Sequence, residues 1–251
     1  MGARQQKQRQ EQILQLLEKQ ERVSVTQLSA LLGTTEVTIR SDLSQLEQAG
    51  KLMRVHGGAV GKPAQQDTKT VNLSAKESIA AAVAEQIRDG DTLFINSGTT
   101  SVCVARALKE KRNLNIVTNA IDVAMELADV PTFRVLLLGG EINARYGFTY
   151  GGDVQEQLRR YQANWAILSV DGVSPQWGIT TYHAEEAILD KMMIAGAHGT
   201  FITADSSKLG RAGFTRIGGC DPALTLVTET VSEDLQAQLQ QIGVQVITGR
   251  K

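Results

Sequence analysis

The stretch Val23–Leu43, VSVTQLSALLGTTEVTIRSDL, decides how the first part of the chain folds. Ser24 or Thr26 can cap a short helix with leucines on one face, and Gly33 is suited to end it in a left-handed conformation. A second helix then starts with Glu36 in its first turn, where an acidic side chain interacts favourably with the helix dipole. The pattern predicts two short helices joined by a tight turn, which is a helix-turn-helix.

The second of these helices divides into a core side and an outer side. Thr34 or Thr35 can cap it, and the helical period places Val37, Leu43 and Leu46 toward the core. Side chains near the start of such a helix can reach base edges in the major groove of DNA. The residues left for solvent or DNA are Thr35, Glu36, Thr38, Arg40, Ser41 and Gln45.

The flanking segments complete a winged helix. Arg9–Lys19 has a helical apolar pattern, and Lys51–Val60 alternates roughly apolar and polar residues around two adjacent glycines, which predicts a β-hairpin. Arg54 and His56 lie on this hairpin, where they can contact a phosphate backbone or a minor groove. The alternative is a plain three-helix bundle whose charged residues only face solvent.

The charge of the chain is divided unevenly along its length. Residues 1–62 contain nine Lys or Arg and six Asp or Glu, a net charge of +3, whereas the remaining residues carry a net charge of −4. A small basic segment on an acidic body is typical of a nucleic-acid-binding module attached to another domain.

Other bulk features limit the class of protein. No apolar run reaches the roughly 20 residues of a membrane span, and the N-terminus lacks the apolar segment of a signal peptide. We therefore expect a cytoplasmic protein without a membrane partner. Cys103 and Cys220 lie far apart and the three histidines are scattered, so we expect neither a metal nor another cofactor.

A polar linker at 61–73 separates a predicted DNA-binding domain at 1–60 from a predicted α/β domain at 74–251. The larger domain opens with a helix over Ala75–Arg88, capped by Ser74, and short apolar runs then alternate with helical patterns. Such alternation is typical of a mostly parallel sheet covered by helices. The predicted strands are Thr92–Asn96, Asn115–Thr118, Arg134–Leu138, Trp165–Val170, Thr200–Thr203, Leu224–Thr228 and Gln245–Thr248, and the predicted helices are Thr100–Glu110, Asp122–Ala128, Ala184–Ala195 and Ser232–Ile242.

Polar or glycine-rich residues follow most of these strands, where ligands bind in open parallel sheets. Backbone N–H groups and hydroxyls at 97–100 can cradle an anion, although they can equally form an ordinary helix cap. Lys208 also suits a phosphate, while Asp171 and Glu185 suit sugar hydroxyls. We expect a phosphorylated small molecule in a crevice formed by Ser97, Gly98, Thr99, Thr100, Asn119, Gly139, Gly140, Asp171, Glu185 and Lys208.

The order of these motifs resembles the DeoR family of bacterial transcriptional regulators over the whole chain. The resemblance in the first domain rests on Arg9-x3-Ile13-x3-Leu17, Thr35-x2-Thr38-Ile39-Arg40-x-Asp42-Leu43, Leu46-x3-Gly50 and Arg54-x-His56-Gly57-Gly58-Ala59. Ser41 departs from the family pattern, which often has a second basic residue there.

The resemblance implies an effector domain similar in fold to ribose-5-phosphate isomerases and glucosamine-6-phosphate deaminases. It implies that Lys208 and residues 97–100 take the phosphate of a sugar or polyol, with Asp171 and Glu185 near the carbon chain. The expected function is a repressor of a sugar or polyol catabolic operon. It would bind double-stranded operator DNA as a homodimer or homotetramer and be released by the phosphorylated intermediate.

An enzyme is the alternative from another class. Asp171, His183, Glu185 and Lys208 could supply acid–base groups to a sugar-phosphate isomerase or deaminase with an accessory DNA-binding head. Because a binding crevice needs the same polar residues, and fold resemblance alone does not establish catalysis, we expect no enzymatic activity. The identity of the sugar, the operator sequence and the sign of regulation stay open.

Overall fold

The computed structural model describes residues 2–19, 22–48, 52–55, 57–61 and 71–249. The chain divides into two compact units, Met1–Val71 and Asn72–Lys251. One hydrophobic cluster forms the core of the first unit, and two clusters form the core of the second.

The first unit contains the predicted helices and hairpin, and the structure adds a third strand. Its elements are α1 (Gly2–Lys19), β1 (Arg22–Ser24), α2 (Val25–Leu32), α3 (Glu36–Gln48), β2 (Leu52–Val55) and β3 (Gly58–Gly61). The strands form an antiparallel sheet in the order β1-β3-β2. Glycine is required at Gly58, because a Cβ atom there would lie 2.1 Å from the backbone oxygen of Val23.

Local chemistry sets the boundaries of α2 and α3. The Ser24 side chain caps α2 by accepting a hydrogen bond of 3.1 Å from the Gln27 N–H. Gly33 ends α2 with φ of 60°, the left-handed conformation that glycine adopts at little cost. At the start of α3 the Thr35 hydroxyl accepts from the Thr38 N–H at 3.3 Å. The predicted start and end of α2 and the predicted start of α3 are therefore confirmed.

The second unit is an α/β domain, as predicted. All seven predicted strands are present and form one parallel sheet. The elements are α4 (Leu73–Gln86), β4 (Thr92–Ile95), α5 (Thr99–Leu108), β5 (Asn115–Thr118), α6 (Ile121–Leu127), β6 (Arg134–Leu137), β7 (Glu141–Asn143), β8 (Phe148–Tyr150), α7 (Gly152–Leu158), β9 (Ala163–Ser169), β10 (Gly172–Ser174), β11 (Gly178–Thr181), α8 (Ala184–Ala195), β12 (Ala197–Thr203), a 3-10 turn at Ser206–Lys208, β13 (Thr215–Gly218), β14 (Leu224–Thr228), α9 (Glu233–Gln241) and β15 (Gln245–Thr248). The strand order in the parallel sheet is β15-β14-β12-β9-β4-β5-β6.

Helices cover both faces of this sheet. Helices α4, α5 and α6 pack on one face around Ile79, Val104 and Val123, whereas α7, α8 and α9 contribute to the cluster on the other face. The strand order reverses at β4: the chain leaves it for β5 and β6 and later returns to β9 on its other side. Such a reversal opens a crevice at the carboxyl ends of the two central strands.

Shorter elements depart from the sequence prediction. The two-stranded sheet of β7 and β8, the three-stranded sheet of β10, β11 and β13, and the helix α7 were not predicted. Strands of three or four residues without a continuous apolar run, and a helix of about two turns, give almost no periodic signal. The expected cap of α4 is also wrong. The helix starts one residue before Ser74, and its N-cap is Asn72 at φ of 54°. Asn72 is held by a tertiary contact, since its amide donates to Asp205 Oδ1 at 3.2 Å.

Candidate functional sites

The outer face of α3 presents the residues predicted to meet DNA. Arg40 is exposed and lies 3.3 Å from Glu36, one helical turn earlier, and Ser41 beside it is also exposed. Glu36 also accepts from the Thr26 hydroxyl at 2.9 Å, and hydrogen bonds from Thr26 and Arg40 lower its pKa. The Thr35 and Thr38 hydroxyls lie 2.9 Å apart. Hydroxyls and a guanidinium therefore share one solvent-facing surface.

The prediction that Val37 faces the core is wrong. Its side chain is 77% exposed, whereas Ile39, Leu43 and Leu46 are buried. Ile39 and Leu43 are four residues apart and share the inner face, while a position two residues before Ile39 is rotated by about 200°. Val37 therefore joins Arg40 on the outer face of α3.

Two other residues of α3 contact side chains of α1 through hydrogen bonds and an ion pair. Gln45 was predicted for solvent or DNA, and its side-chain oxygen accepts from Gln6 at 2.9 Å and from Gln10 at 3.0 Å. Asp42 is 1% exposed and forms a salt bridge with Arg9. This ion pair links α1 to α3. In the wing, His56 and the side chain of Arg54 lie outside the described residues.

The second candidate site lies at the switch point between β4 and β9. Asn96 follows β4 and is fully buried, and its amide donates to the Ser169 carbonyl at 3.0 Å and to Asp190 Oδ1 at 3.0 Å. Its side-chain oxygen accepts from the Ser169 N–H at 2.8 Å and from the Ser101 hydroxyl at 3.0 Å. This one side chain joins the two central strands, α8 and the start of α5.

The loop after Asn96 leads directly into α5. Gly98 is the N-cap residue at φ of 135°, and a Cβ atom there would lie 2.7 Å from Ser169 Oγ. Thr99 and Thr100 form the first turn of a ten-residue helix, and its leading N–H groups have no intrahelical acceptor. Because these groups carry the positive end of the helix dipole, the loop favours an anion.

The structure brings Asp171 and Lys208 together at this crevice. The Lys208 ammonium lies 3.0 Å from Asp171 Oδ1, and the Tyr182 N–H donates to Asp171 Oδ2 at 3.1 Å. Thr181, which was not predicted, has its hydroxyl 3.2 Å from Asp171 Oδ2. Asp171, which follows β9, is therefore in contact with Thr181 of β11 and with Lys208 of the 3-10 turn after β12.

The carboxylate that faces the loop is Glu186, one residue beyond the predicted Glu185. Glu185 is exposed, whereas Glu186 is 7% exposed and accepts from the Ser97 hydroxyl and, at 3.1 Å, from the Thr181 hydroxyl. Adjacent positions on a helix are rotated by about 100°, so Glu185 and Glu186 point in different directions. The sequence contains no signal that chooses between them.

The buried carboxyl groups of Glu186 and Asp190, both in α8, have pKa values above their ordinary range. Burial raises the pKa of Glu186 to about 7, against the hydrogen bonds from Ser97 and Thr181, and the Asp171 charge adds to the rise. Burial and the nearby Glu186 also raise the pKa of Asp190 well above its usual range. Asp190 Oδ2 has no hydrogen-bond partner among the described residues.

Three other predicted residues contact β8 or α7. Asn119 is fully buried, and its amide donates to the Thr149 carbonyl at 3.2 Å. Gly139 exchanges two hydrogen bonds with the side chain of Gln157. A Cβ atom on Gly140 would lie 2.6 Å from the Tyr150 carbonyl oxygen. The described contacts of these residues support the architecture next to the crevice.

Sequence reasoning also missed a buried lysine near Lys208. Lys76, in the second turn of α4, is only 6% exposed. Burial lowers the pKa of its ammonium, while Asp205 opposes this shift and Lys208 reinforces it. Lysine is rarely buried in proteins unless its charge is compensated, so Lys76 adds a cationic group beside the 3-10 turn. Its position inside an alanine-rich helix gave no indication of this role.

Within the described part of the chain, no helix is both long and apolar enough to cross a membrane.

Comparison with known proteins identifies the family. The model of the DeoR-like helix-turn-helix domain matches residues 9–62, and that of the DeoR C terminal sensor domain matches residues 71–230. The chain is 34% identical over 219 residues to the glycerol-3-phosphate regulon repressor of Escherichia coli (strain K12), covering 85% of this chain and 86% of that protein. It is 31% identical over 248 residues to the HTH-type transcriptional regulator GlpR of Haloferax volcanii, with 96% and 97% covered. This chain therefore belongs to the DeoR family of DNA-binding transcriptional regulators.

Solved structures show weaker likeness. Ribose 5-phosphate isomerase A from Methanocaldococcus jannaschii aligns over 55% of this chain and 55% of that chain, with a TM-score of 0.41 and 14% identity. The delta subunit of eIF2B from Chaetomium thermophilum covers 80% of this chain and 66% of its own, with a TM-score of 0.43 and 15% identity. Likeness of this size carries no argument about what this chain binds or catalyses.

Proposed function

We propose that this chain is a repressor whose affinity for operator DNA is controlled by a phosphorylated sugar or polyol that binds in the crevice of its α/β domain. The observation that supports the proposal most directly is a chain of side-chain contacts that links the start of α5 to the Lys208 ammonium. Ser97 contacts Glu186, and Thr181 joins Glu186 to Asp171, the partner of Lys208. The start of α5 and the Lys208 ammonium both attract an anion, and they lie beside carboxylates that can accept hydrogen bonds from hydroxyls.

The rest of the ligand is inferred from the polar groups around this anion position. Asp171, Thr181 and Glu186 offer carboxylate and hydroxyl groups at hydrogen-bonding distance from one another. A polyhydroxylated carbon chain can hydrogen-bond to such groups. One relative is named for glycerol 3-phosphate, which belongs to this chemical class.

On the DNA side, the outer face of α3 is suited to the major groove. Arg40 and Thr38 would contact bases or phosphates there, and Ser41 supplies a hydroxyl where a second cation is absent. A single winged helix makes limited contact with DNA, so two or more copies should act on repeated half-sites. We infer a homodimer or homotetramer in which effector binding favours an arrangement that no longer fits the half-sites.

Catalysis is the less favoured function. The relatives matched over most of their length are named transcriptional regulators. A buried acid with a pKa of about 7 is nevertheless the type of group that general acid–base chemistry uses. Turnover of phosphorylated aldoses or ketoses by the purified protein would contradict the regulatory proposal.

The first test is a thermal-unfolding panel of sugar and polyol phosphates with the full-length protein. A true effector at about 100 times its dissociation constant should stabilise the folded state by about 2.7 kcal/mol. The same compound should release a DNA fragment selected by the wild-type protein from a random pool. If no member of a broad panel stabilises the protein or releases DNA, the sensing proposal is wrong.

The second test separates the two sites. Lys208→Met should require at least about tenfold more effector for DNA release, because it removes one charge-assisted contact to the phosphate. Arg40→Ala should instead lower operator affinity by about 1–3 kcal/mol and keep effector-induced stabilisation. Lys191→Met, an exposed lysine of α8, is the matched control for Lys208. A Lys208→Met variant with wild-type effector sensitivity would remove Lys208 from the site.

A further inference from the structure

The hydroxyl of Thr181 lies between two carboxyl groups. Its oxygen is 3.2 Å from Asp171 Oδ2 and 3.1 Å from Glu186 Oε2. A hydroxyl has a single hydrogen, so it can donate fully to only one of these oxygens. If both carboxyl groups were ionised, one of these two oxygen–oxygen contacts would have no hydrogen of its own. The geometry is satisfied when one carboxyl group keeps a proton and donates it to Thr181.

The surroundings place that proton on Glu186. Asp171 is 28% exposed and receives hydrogen bonds from the Lys208 ammonium and the Tyr182 N–H, which favour its ionised form. Glu186 is 7% exposed, and burial raises its pKa to about 7. Protonated Glu186 then donates to Thr181, which donates to Asp171, while the other Glu186 oxygen accepts from Ser97.

The other ionisable groups near Glu186 do not reverse this assignment. Asp190 lies one turn further along α8, where burial raises its pKa and favours its neutral form. Lys208 approaches from the 3-10 turn and is paired with Asp171. His183 precedes α8, and its ring packs against Tyr146 with a centroid distance of 4.1 Å.

We propose that Glu186 is a ligand-linked proton site of the crevice, which must hold a proton for an anionic effector to bind well. This inference rests on the proposed function. An anion at the α5 N-terminus would compete for the Lys208 ammonium and the Ser97 hydroxyl, both of which now contact carboxyl oxygens. Losing the Ser97 donor, and gaining a negative charge nearby, makes the ionised form of Glu186 less favourable. The proton comes from solvent when binding occurs above the pKa of Glu186.

The test is titration calorimetry of the full-length protein with inorganic sulfate, which remains a dianion at every pH used. Wild-type affinity should fall by up to about tenfold per pH unit between about pH 7 and pH 9. Buffers with different ionisation heats should report uptake approaching one proton per crevice near the top of this range. The strongest binder of the sugar-phosphate panel is the second probe, because a phosphate monoester is already dianionic well above its second pKa of about 6.

Glu186→Gln is the decisive variant. Its amide can donate to Thr181 and accept from Ser97, as the protonated acid does, so it should bind sulfate with little pH dependence and without proton uptake. At about pH 9 it should therefore bind more tightly than the wild type. Glu233→Gln removes an exposed carboxylate from the first turn of α9 and should keep the wild-type profile. Thermal unfolding checks that both variants are folded.

The outcomes separate the two proposals. A Glu186→Gln protein with the wild-type pH dependence overturns the inference, even if its affinity is lower at every pH, because a structural role alone gives that result. A wild-type protein that binds sulfate without proton uptake also overturns it. A wild-type protein that binds neither sulfate nor any sugar phosphate contradicts the proposed function itself.

Discussion

The outer face of α3 and the crevice between β4 and β9 differ in how their residues are brought together. Val37, Arg40 and Ser41 lie within two turns of one helix, so their common surface follows from helical geometry. The crevice joins Ser97, Asp171, Thr181, Glu186 and Lys208 from separate segments of an α/β sheet. A surface formed by one helix tolerates substitution well, whereas a site assembled from several segments depends on each contact.

The largest expected effect tests how closely the loop at Gly98 packs against Ser169. Gly98→Ala should destabilise the α/β unit by about 4 kcal/mol, because its φ of 135° is strained for any side chain and the new Cβ would meet Ser169. Urea unfolding followed by tryptophan fluorescence measures this, since Trp165 and Trp177 both lie in this unit. The matched change Gly152→Ala, where a Cβ meets nothing within 4 Å, should be nearly neutral. Equal stability of the two variants would show that the loop is not constrained.

A somewhat smaller effect is expected on the pH dependence of the free energy of unfolding, because of the buried carboxyl group of Glu186. Glu186 binds its proton more tightly in the folded state, where its pKa is about 7, than in the unfolded chain, where it is near 4.5. The stability that this proton provides is present below about pH 4.5 and is lost as pH rises through 7, a change of about 3 kcal/mol. Glu186→Gln should avoid this loss, so its stability relative to wild type should increase from pH 4.5 to 7. Urea midpoints at several pH values measure the difference, and a constant difference would contradict the assignment.

The smallest effect concerns the face of α3. Val37→Ala should change stability by less than about 0.5 kcal/mol, because the side chain is 77% exposed. It should weaken operator binding by about 1 kcal/mol if Val37 contacts a thymine methyl group. Val25→Ala, at a position 2% exposed, should instead lower stability by about 2 kcal/mol. Gel-shift titration and thermal unfolding of both variants measure these changes, and unchanged operator affinity of Val37→Ala would exclude the contact.

Much of the architecture was predictable because its signals are local. Gly33 and Ser24 act at the ends of α2 through their own backbone and side-chain chemistry. The strands of the large sheet were predicted since buried parallel strands form continuous apolar runs. The short antiparallel strands were missed because a few residues give no measurable period, and the α4 cap was missed because Asn72 is positioned by Asp205, more than a hundred residues away.

The candidate crevice was predicted only in outline. The polar strand ends pointed to its location, and Asp171 and Lys208 meet there. Thr181 and Lys76 were not anticipated, since a threonine in a short strand and a lysine in an alanine-rich helix have no distinguishing pattern. The effector assignments of Asn119, Gly139 and Gly140 stay predictions, although the described contacts of these residues are with β8 and α7.

By itself, the sequence determined the helix-turn-helix, the parallel sheet and the resemblance to a family of regulators. These features depend on residues close together in the chain, where capping, glycine conformations and apolar periods act directly. Only the tertiary structure decided that Val37 faces outward and that Glu186 is buried against Ser97 and Thr181. The burial of a side chain depends on which distant segments pack over it, and for Glu186 those segments carry Ser97, Thr181 and Asp171.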